Sequence, residues 1–335
     1  MKNNALILIL PLLAACTSSD RLVGESCREP IALNEPAQQM RSLSNDLEQL
    51  TSPALNGRKT GSLGAALTRQ YLQQRFKQLE LAGWQGKYQH TFEYTQGFSD
   101  RQGINLAVML PAADNTDNAP WRLVLAHYDH LGGRAGRSRP DGKYFPGADD
   151  NASGVAAMLS VAESLKKQPL PANVLLVFTD AEEPGLYGSK ALVRELQNAG
   201  VLSQIELVIN LDMVGRPDKH RRLYVEGIQS MDPASRYQVL QQLQLGYQTT
   251  GLCSRVGHPK GMGRGSFVSD RIDWLRASDH YPFHKKDVPW LFFASGNHNQ
   301  YHTEQDSVER LDLNFIHQVS QLTNQLITQK APLAD

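Results

Sequence analysis

Cysteine is scarce in this chain, with three in 335 residues, and charge of one sign is absent, with 34 basic against 34 acidic side chains. The balance gives no basic patch for nucleic acid and no strong pull toward an anionic membrane surface. No low-complexity tract or internal repeat appears, and no linker interrupts residues 37–330. The longest N-terminal apolar run, Ala5 to Leu13, is too short to cross a bilayer as a permanent helix. Two hydrolase signatures are missing as well. There is no Gly-x-Ser-x-Gly elbow, which excludes the common serine hydrolase arrangement, and no His-Glu-x-x-His helix of single-zinc endopeptidases.

What is present begins with a leader. Lys2 and the apolar run precede Leu13-Ala14-Ala15-Cys16, which resembles a bacterial lipobox. Residues 1–15 are expected to be a signal peptide, Cys16 the lipidated N-terminus and 16–36 a tether. Thr17, in place of the aspartate that retains lipoproteins at the inner membrane, implies an outer-membrane location in the cell envelope. The anchor would be the only membrane contact. Cys27 and Cys253 then remain, an even pair that allows one disulfide in an oxidising compartment.

Residues 37–330 read as a single catalytic domain. Apolar residues at three- and four-residue spacing predict helices over 37–50 and 63–81, with Gly83 as the C-cap of the second and 56–61 as a loop. Strands are predicted at 88–94, 105–110, 121–126, 173–179, 207–211 and 290–294. Helices are predicted at 153–166, 188–199 and 313–329. Strand alternating with helix implies βαβ units and parallel strands.

Each central apolar run stops where a metal-ligand-type residue begins. The series is His127, Asp150, Glu183, Asp212 and His302, with Glu182 directly before the third member. Taken singly, a histidine after a strand, an Asp-Asp-Asn helix start or a Glu-Glu pair is ordinary surface chemistry. Taken together they deliver two imidazoles and three carboxylates beyond strand or turn ends, where open α/β sheets bind ligands. Five such donors exceed one tetrahedral zinc that keeps a position open and suffice for two zinc ions if one carboxylate bridges. Residues two apart in a strand point to the same side, so Asp129 is expected to reach the imidazole of His127 and fix its tautomer. Of the two adjacent glutamates, one can bind metal while the other acts as general base.

The strings Ala-His-Tyr-Asp at 126–129, Gly-Ala-Asp-Asp-Asn-Ala-Ser-Gly at 147–154, Thr-Asp-Ala-Glu-Glu at 179–183, Asn-Leu-Asp-Met at 210–213 and Tyr-His-Thr at 301–303 resemble the co-catalytic di-zinc aminopeptidases. These form metallopeptidase family twenty-eight. The resemblance implies an α/β fold with a mixed, largely parallel sheet of about eight strands sandwiched between helices. It implies one zinc on His127 and Asp212, the other on Glu183 and His302, with Asp150 bridging. Glu182 would be the general base acting on a metal-bridging water, Asp129 would orient His127, and Asp149 would be a hydrogen-bonding neighbour. The Asp150–Asn151 peptide is implied to be cis. The implied activity is removal of N-terminal residues from peptides by a monomer. A glutaminyl cyclase or a carboxypeptidase on the same fold is the alternative, and a non-catalytic binding module a remote one. A basic loop with Arg134, Arg137, Arg139 and Lys143, and a Gly-rich segment at 261–265, are candidate specificity elements.

Overall fold

The computed structural model describes residues 37–114, 119–133, 143–258 and 272–330. The leader, Cys16, the tether with Cys27, Arg134, Arg137, Arg139 and the 261–265 segment lie outside the described residues.

Nine strands form one mixed sheet: β1 (Ala82–Gly83), β2 (Gln89–Gln96), β3 (Ser99–Leu110), β4 (Trp121–His127), β5 (Asn173–Thr179), β6 (Ile205–Leu211), β7 (Arg222–Glu226), β8 (Cys253–Val256) and β9 (Trp290–Ala294). Their order is β1-β3-β5-β4-β6-β9-β7-β8, with β2 paired to β3. The central strands β5, β4, β6 and β9 run parallel, and β3 and β7 flank them antiparallel. The α-helices of the described residues are α1 (Ala37–Leu50), α2 (Leu63–Gln78), α3 (Gly154–Leu165), α4 (Tyr187–Asn198), α5 (Pro233–Thr250), α6 (Tyr281–His284) and α7 (Leu313–Thr328), joined by short helical turns such as Pro53–Arg58.

Both sheet faces are covered, so the central strands are apolar throughout rather than alternating. Val124, Ala126, Leu176, Phe178 and Ile209 pack with residues of α1, α2, α3, α5 and α7 on one face. Leu123, Leu125, Leu175, Val177 and Val208 face α4 and Phe283 on the other. The register then fixes what the strand ends present. His127 pairs with Thr179, the last residue of β5, and Leu125 pairs with Asn210. Two residues on, His127 therefore stands level with Asp212.

Several sequence expectations need correction. α2 stops at Gln78 and Gly83 does not cap it. Glu80 takes the left-handed turn (φ 50°) and the Leu81 N–H returns to the Phe76 carbonyl, a Schellman closure without glycine. Gly83 instead sits in β1 opposite Val108, where a Cβ would meet the Lys87 backbone at 2.5 Å. The sequence reading also missed β7, β8 and the 18-residue α5. Glutamines dilute the apolar pattern of α5, although its ends were marked. Asp232 caps the first turn by accepting from Ala234 and Ser235 N–H, Pro233 opens the helix, and Gly251 closes it at φ 74°.

α3 begins hard against the end of β6. A Cβ on Gly154 would lie 2.5 Å from the Leu211 carbonyl oxygen and would also strike the Asn151 side chain. Gly154→Ala is accordingly expected to cost about 3 kcal/mol, read as a fall in urea midpoint with unchanged m-value. A variant as stable as the parent would show that this close approach relaxes freely.

Candidate metal centre

Five chain segments converge beyond the carboxyl ends of β4, β5 and β6. His127 ends β4, Glu182 and Glu183 follow β5, and Asp212 follows β6. Asp150 lies in the turn Ala148–Ser153 ahead of α3, and His302 lies in the loop after β9. Ala181, Met213 and His302 all take positive φ (55°, 56° and 55°), each at or beside one of these residues. Left-handed backbone at non-glycine residues costs on the order of 1 kcal/mol each and clusters where a site dictates side-chain direction.

The donor atoms fall into two groups that share Asp150. In one, His127 Nε2 lies 3.3 Å from Asp150 Oδ1 and 3.4 Å from Asp212 Oδ1. In the other, which also takes in His130, His302 Nε2 lies 3.0 Å from Asp150 Oδ2 and 3.2 Å from Glu183 Oε2. Donors about a tetrahedral ion with bonds near 2.0 Å are separated by about 3.3 Å, so both groups fit a zinc-sized cation. Asp212 Oδ1 and His302 Nε2 are buried without a hydrogen-bond partner among the described residues, and each points into its group. Such orphans are expected of metal donors and costly otherwise. The residues present therefore fit zinc at both positions.

Electrostatics agree. Burial penalises the charged form of Asp150, yet the imidazoles of His130, His127 and His302 more than reverse this and hold it well below the carboxylate range. Burial likewise opposes charge on His302, but Asp150 and Glu183 push its imidazole up to about 10. Glu182 is different. Burial, with Asp212, Asp279 and Glu183 adding to it against the opposing pull of His127, raises it well above its ordinary value. It belongs to neither donor group.

Supporting contacts lock the frame. The Asp150–Asn151 peptide is cis. The Asp306 carboxylate accepts from the N–H groups of Asp149 and Asp150 at 3.0 and 3.1 Å. Asn151 donates to the Leu211 carbonyl and accepts from Met213 and Gly154 N–H, tying the turn to the end of β6. Asp149 accepts from Gly215 N–H and contacts His298 at 3.2 Å. Arg58, wholly buried, donates to the carbonyls of Leu50, Tyr128, Pro146 and Gly147. It joins the end of β4 to the approach to Asp150, and burial lowers its pKa to about 10. Asp212 Oδ2 accepts from the Ser278 hydroxyl at 2.7 Å.

The expectation for Asp129 is corrected in its geometry. His127 Nδ1 meets the Asp129 backbone carbonyl at 3.1 Å, whereas the carboxylate stands 3.8 Å away. β4 ends at His127, so the two-residue repeat of a strand no longer applies. The carboxylate instead accepts from Glu182 N–H at 3.0 Å and the Thr60 hydroxyl at 3.2 Å. Sequence reasoning missed Arg58, Thr60, Asp306 and His130. Arg58 and Thr60 stood in the loop read at 56–61, and His130 directly follows the 126–129 string.

A cavity of about 220 Å³ opens onto His127, Asp150, Glu182 and Asp212, walled by Met213, Trp274, Ala277 and Phe292. On the other side of Glu183 a second cavity of about 220 Å³ is lined by Lys59, Tyr94, Arg101 and His130. Of the loop basic residues, Lys143 is described and lies 3.8 Å from Glu304. Cys253 opens β8 and is disulfide-bonded. Among the described residues no helix is long and apolar enough to cross a membrane.

The fold and donor set put the chain in the class of α/β proteins with a carboxylate–imidazole metal centre beyond the strand ends. Residues 105–327 match Peptidase family M28, more than half of the chain, and the chain belongs to that family. Aminopeptidase YwaD of Bacillus subtilis is 30% identical over 206 residues, which cover 59% of this chain and 38% of that one. The match thus spans well under half of that relative's length. A glutaminyl-peptide cyclotransferase of the snake Boiga irregularis is 27% identical over 312 residues, covering 84% of this chain and 78% of its own. The solved zinc aminopeptidase BSAP from Bacillus subtilis has the same fold, with a TM-score of 0.66 at 17% identity over 88% of this chain and 97% of that one.

Proposed function

We propose that the chain is a di-zinc aminopeptidase that hydrolyses N-terminal residues from peptides. The observation that carries this reading is the pair of donor groups sharing Asp150. His127 and Asp212 would hold one ion and Glu183 and His302 the other, with Asp150 common to both groups. Zinc in these positions would polarise a scissile carbonyl and bring the pKa of water down toward about 7.

The chain's own groups supply the rest. Glu182 lines the cavity beside three donors without being one. Its raised pKa suits a base that takes a proton from water and gives it to the leaving amine. Asp129 fixes Glu182 through the backbone N–H, and its carbonyl sets the tautomer of His127 with Nδ1 as donor and Nε2 free for metal. The cavity wall of Met213, Trp274, Ala277 and Phe292 offers an apolar seat for the side chain of the cleaved residue.

A second reading is favoured by the likeness to glutaminyl-peptide cyclotransferases, which extends over most of the chain's length. That enzyme class would use the same pocket to close an N-terminal glutamine. Lipid attachment at Cys16 places either activity in the cell envelope.

Hydrolysis of an unblocked apolar dipeptide should vanish on chelation and return with zinc, while the N-acetylated dipeptide stays uncut throughout. Chelator-resistant cleavage, or equal cleavage of the blocked peptide, would remove the proposal.

A further inference from the structure

His130 is not among the donors assigned above, yet its ring sits against them. Nδ1 lies 2.6 Å from Glu183 Oε1 and 3.7 Å from Asp150 Oδ2. The ring is fully buried, edge-on to His302 with centroids 5.7 Å apart. Its other side rests on Gly147, where a Cβ would come within 2.5 Å of the His130 Cδ2. Gly147 has φ 56°, so glycine suits both the backbone and the ring at that point. The imidazole is thus clamped with one nitrogen aimed at Glu183.

Two roles fit a histidine so placed, and the distances separate them. Two atoms bound to one tetrahedral ion stand about 3.3 Å apart, as the atoms of His302, Asp150 and Glu183 Oε2 do. A separation of 2.6 Å is too short for such a pair and falls in the range of a charge-assisted hydrogen bond. Glu183 also uses its two oxygens differently, with Oε2 facing His302 and Oε1 facing His130. A carboxylate only accepts, so Nδ1 carries the proton.

We infer that His130 is a positioning residue for the second metal site: it donates from Nδ1 to Oε1 of Glu183 and so holds that carboxylate to one-oxygen ligation through Oε2. The inference rests on the reading of the cluster as a two-zinc centre. Without the donor, Glu183 is free to rotate or to bind through both oxygens, and the ion it shares with His302 is held less well. The ion on His127 and Asp212 keeps its full donor set. The effect is therefore confined to one of two sites, which general damage to the fold would not produce.

The test is a zinc competition titration against a fluorescent chelator, on the parent, His130→Ala and His130→Asn. The parent should release zinc in two steps. In His130→Ala one step should weaken by about 10- to 100-fold while the other stays within about twofold. Asparagine retains an N–H donor and should recover part of the loss. Two unchanged steps, or two steps weakened together, would overturn the assignment. With cobalt at saturation, a d–d spectrum in His130→Ala that reports a lost ligand would also overturn it, because His130 would then bind metal directly. A parent that takes up fewer than two zincs would instead defeat the two-zinc reading, whatever the variants do.

Discussion

Glu182→Gln should keep two zincs per chain and lose about three orders of magnitude in kcat, the range seen when a positioned general base is removed. The amide fills the same volume and leaves every donor atom of the two groups in place, since Glu182 belongs to neither. Its backbone N–H still donates to Asp129. What disappears is the only carboxylate among the described lining residues that belongs to neither donor group. KM should change little, because the cavity wall is untouched. Stopped assays with an aminoacyl anilide, run beside metal analysis, read both quantities. Near-parental turnover with full metal content would remove Glu182 from the mechanism.

Asp150→Asn should be as damaging by a different route, losing metal first and activity as a consequence. Both oxygens of Asp150 are used, Oδ1 toward His127 and Oδ2 toward His302, so one carboxylate completes both groups. An asparagine offers one oxygen and an NH₂ that repels a cation. Removing the charge also leaves three imidazoles facing a neutral side chain, and those imidazoles are what hold Asp150 ionised. Zinc content should fall from two to below one per chain, and kcat/KM by at least about a thousandfold. Thermal melting gives an independent reading. A ligand at about a thousand times its Kd adds about 4 kcal/mol to stability, so chelator should lower the parental Tm sharply and leave Asp150→Asn nearly unmoved. Two tightly held zincs in the variant would contradict the bridging role.

The parts of the fold legible in the sequence are those where burial on both faces writes an unbroken apolar run. β5 and β9 match their expected limits, and β4 and β6 differ by one or two residues. The β4, β5 and β6 runs lead into polar donors, which is why His127, the Glu182-Glu183 pair and Asp212 could be placed from the strand pattern. Asp150 and His302 lie in turns; they stood in the same series, and the resemblance supplied their individual roles. Less legible were elements whose pattern is diluted. α5 hides Val239 and Leu243 among glutamines, and β7 and β8 are only five and four residues long. The site's supports were illegible for another reason. Arg58, Thr60 and Asp306 reach the centre from 69 to 157 residues away in sequence. Nothing local marks a loop arginine as the residue that will bind four buried carbonyls.

The Asp129 case shows how a sound rule fails at a boundary. Two-residue periodicity would have aimed its carboxylate at His127, but the strand stops two residues short of Asp129. The backbone carbonyl takes that place, and the carboxylate steadies Glu182. Orientation of the imidazole survives with the donor unchanged and the acceptor exchanged.

The most direct test is the mass of the product from one unblocked peptide beginning with glutamine and followed by apolar residues, incubated with zinc-loaded protein. A peptide shortened by its first residue, with free glutamine released, is the predicted result. A full-length peptide lighter by one ammonia, or one shortened from its carboxyl end, would contradict it.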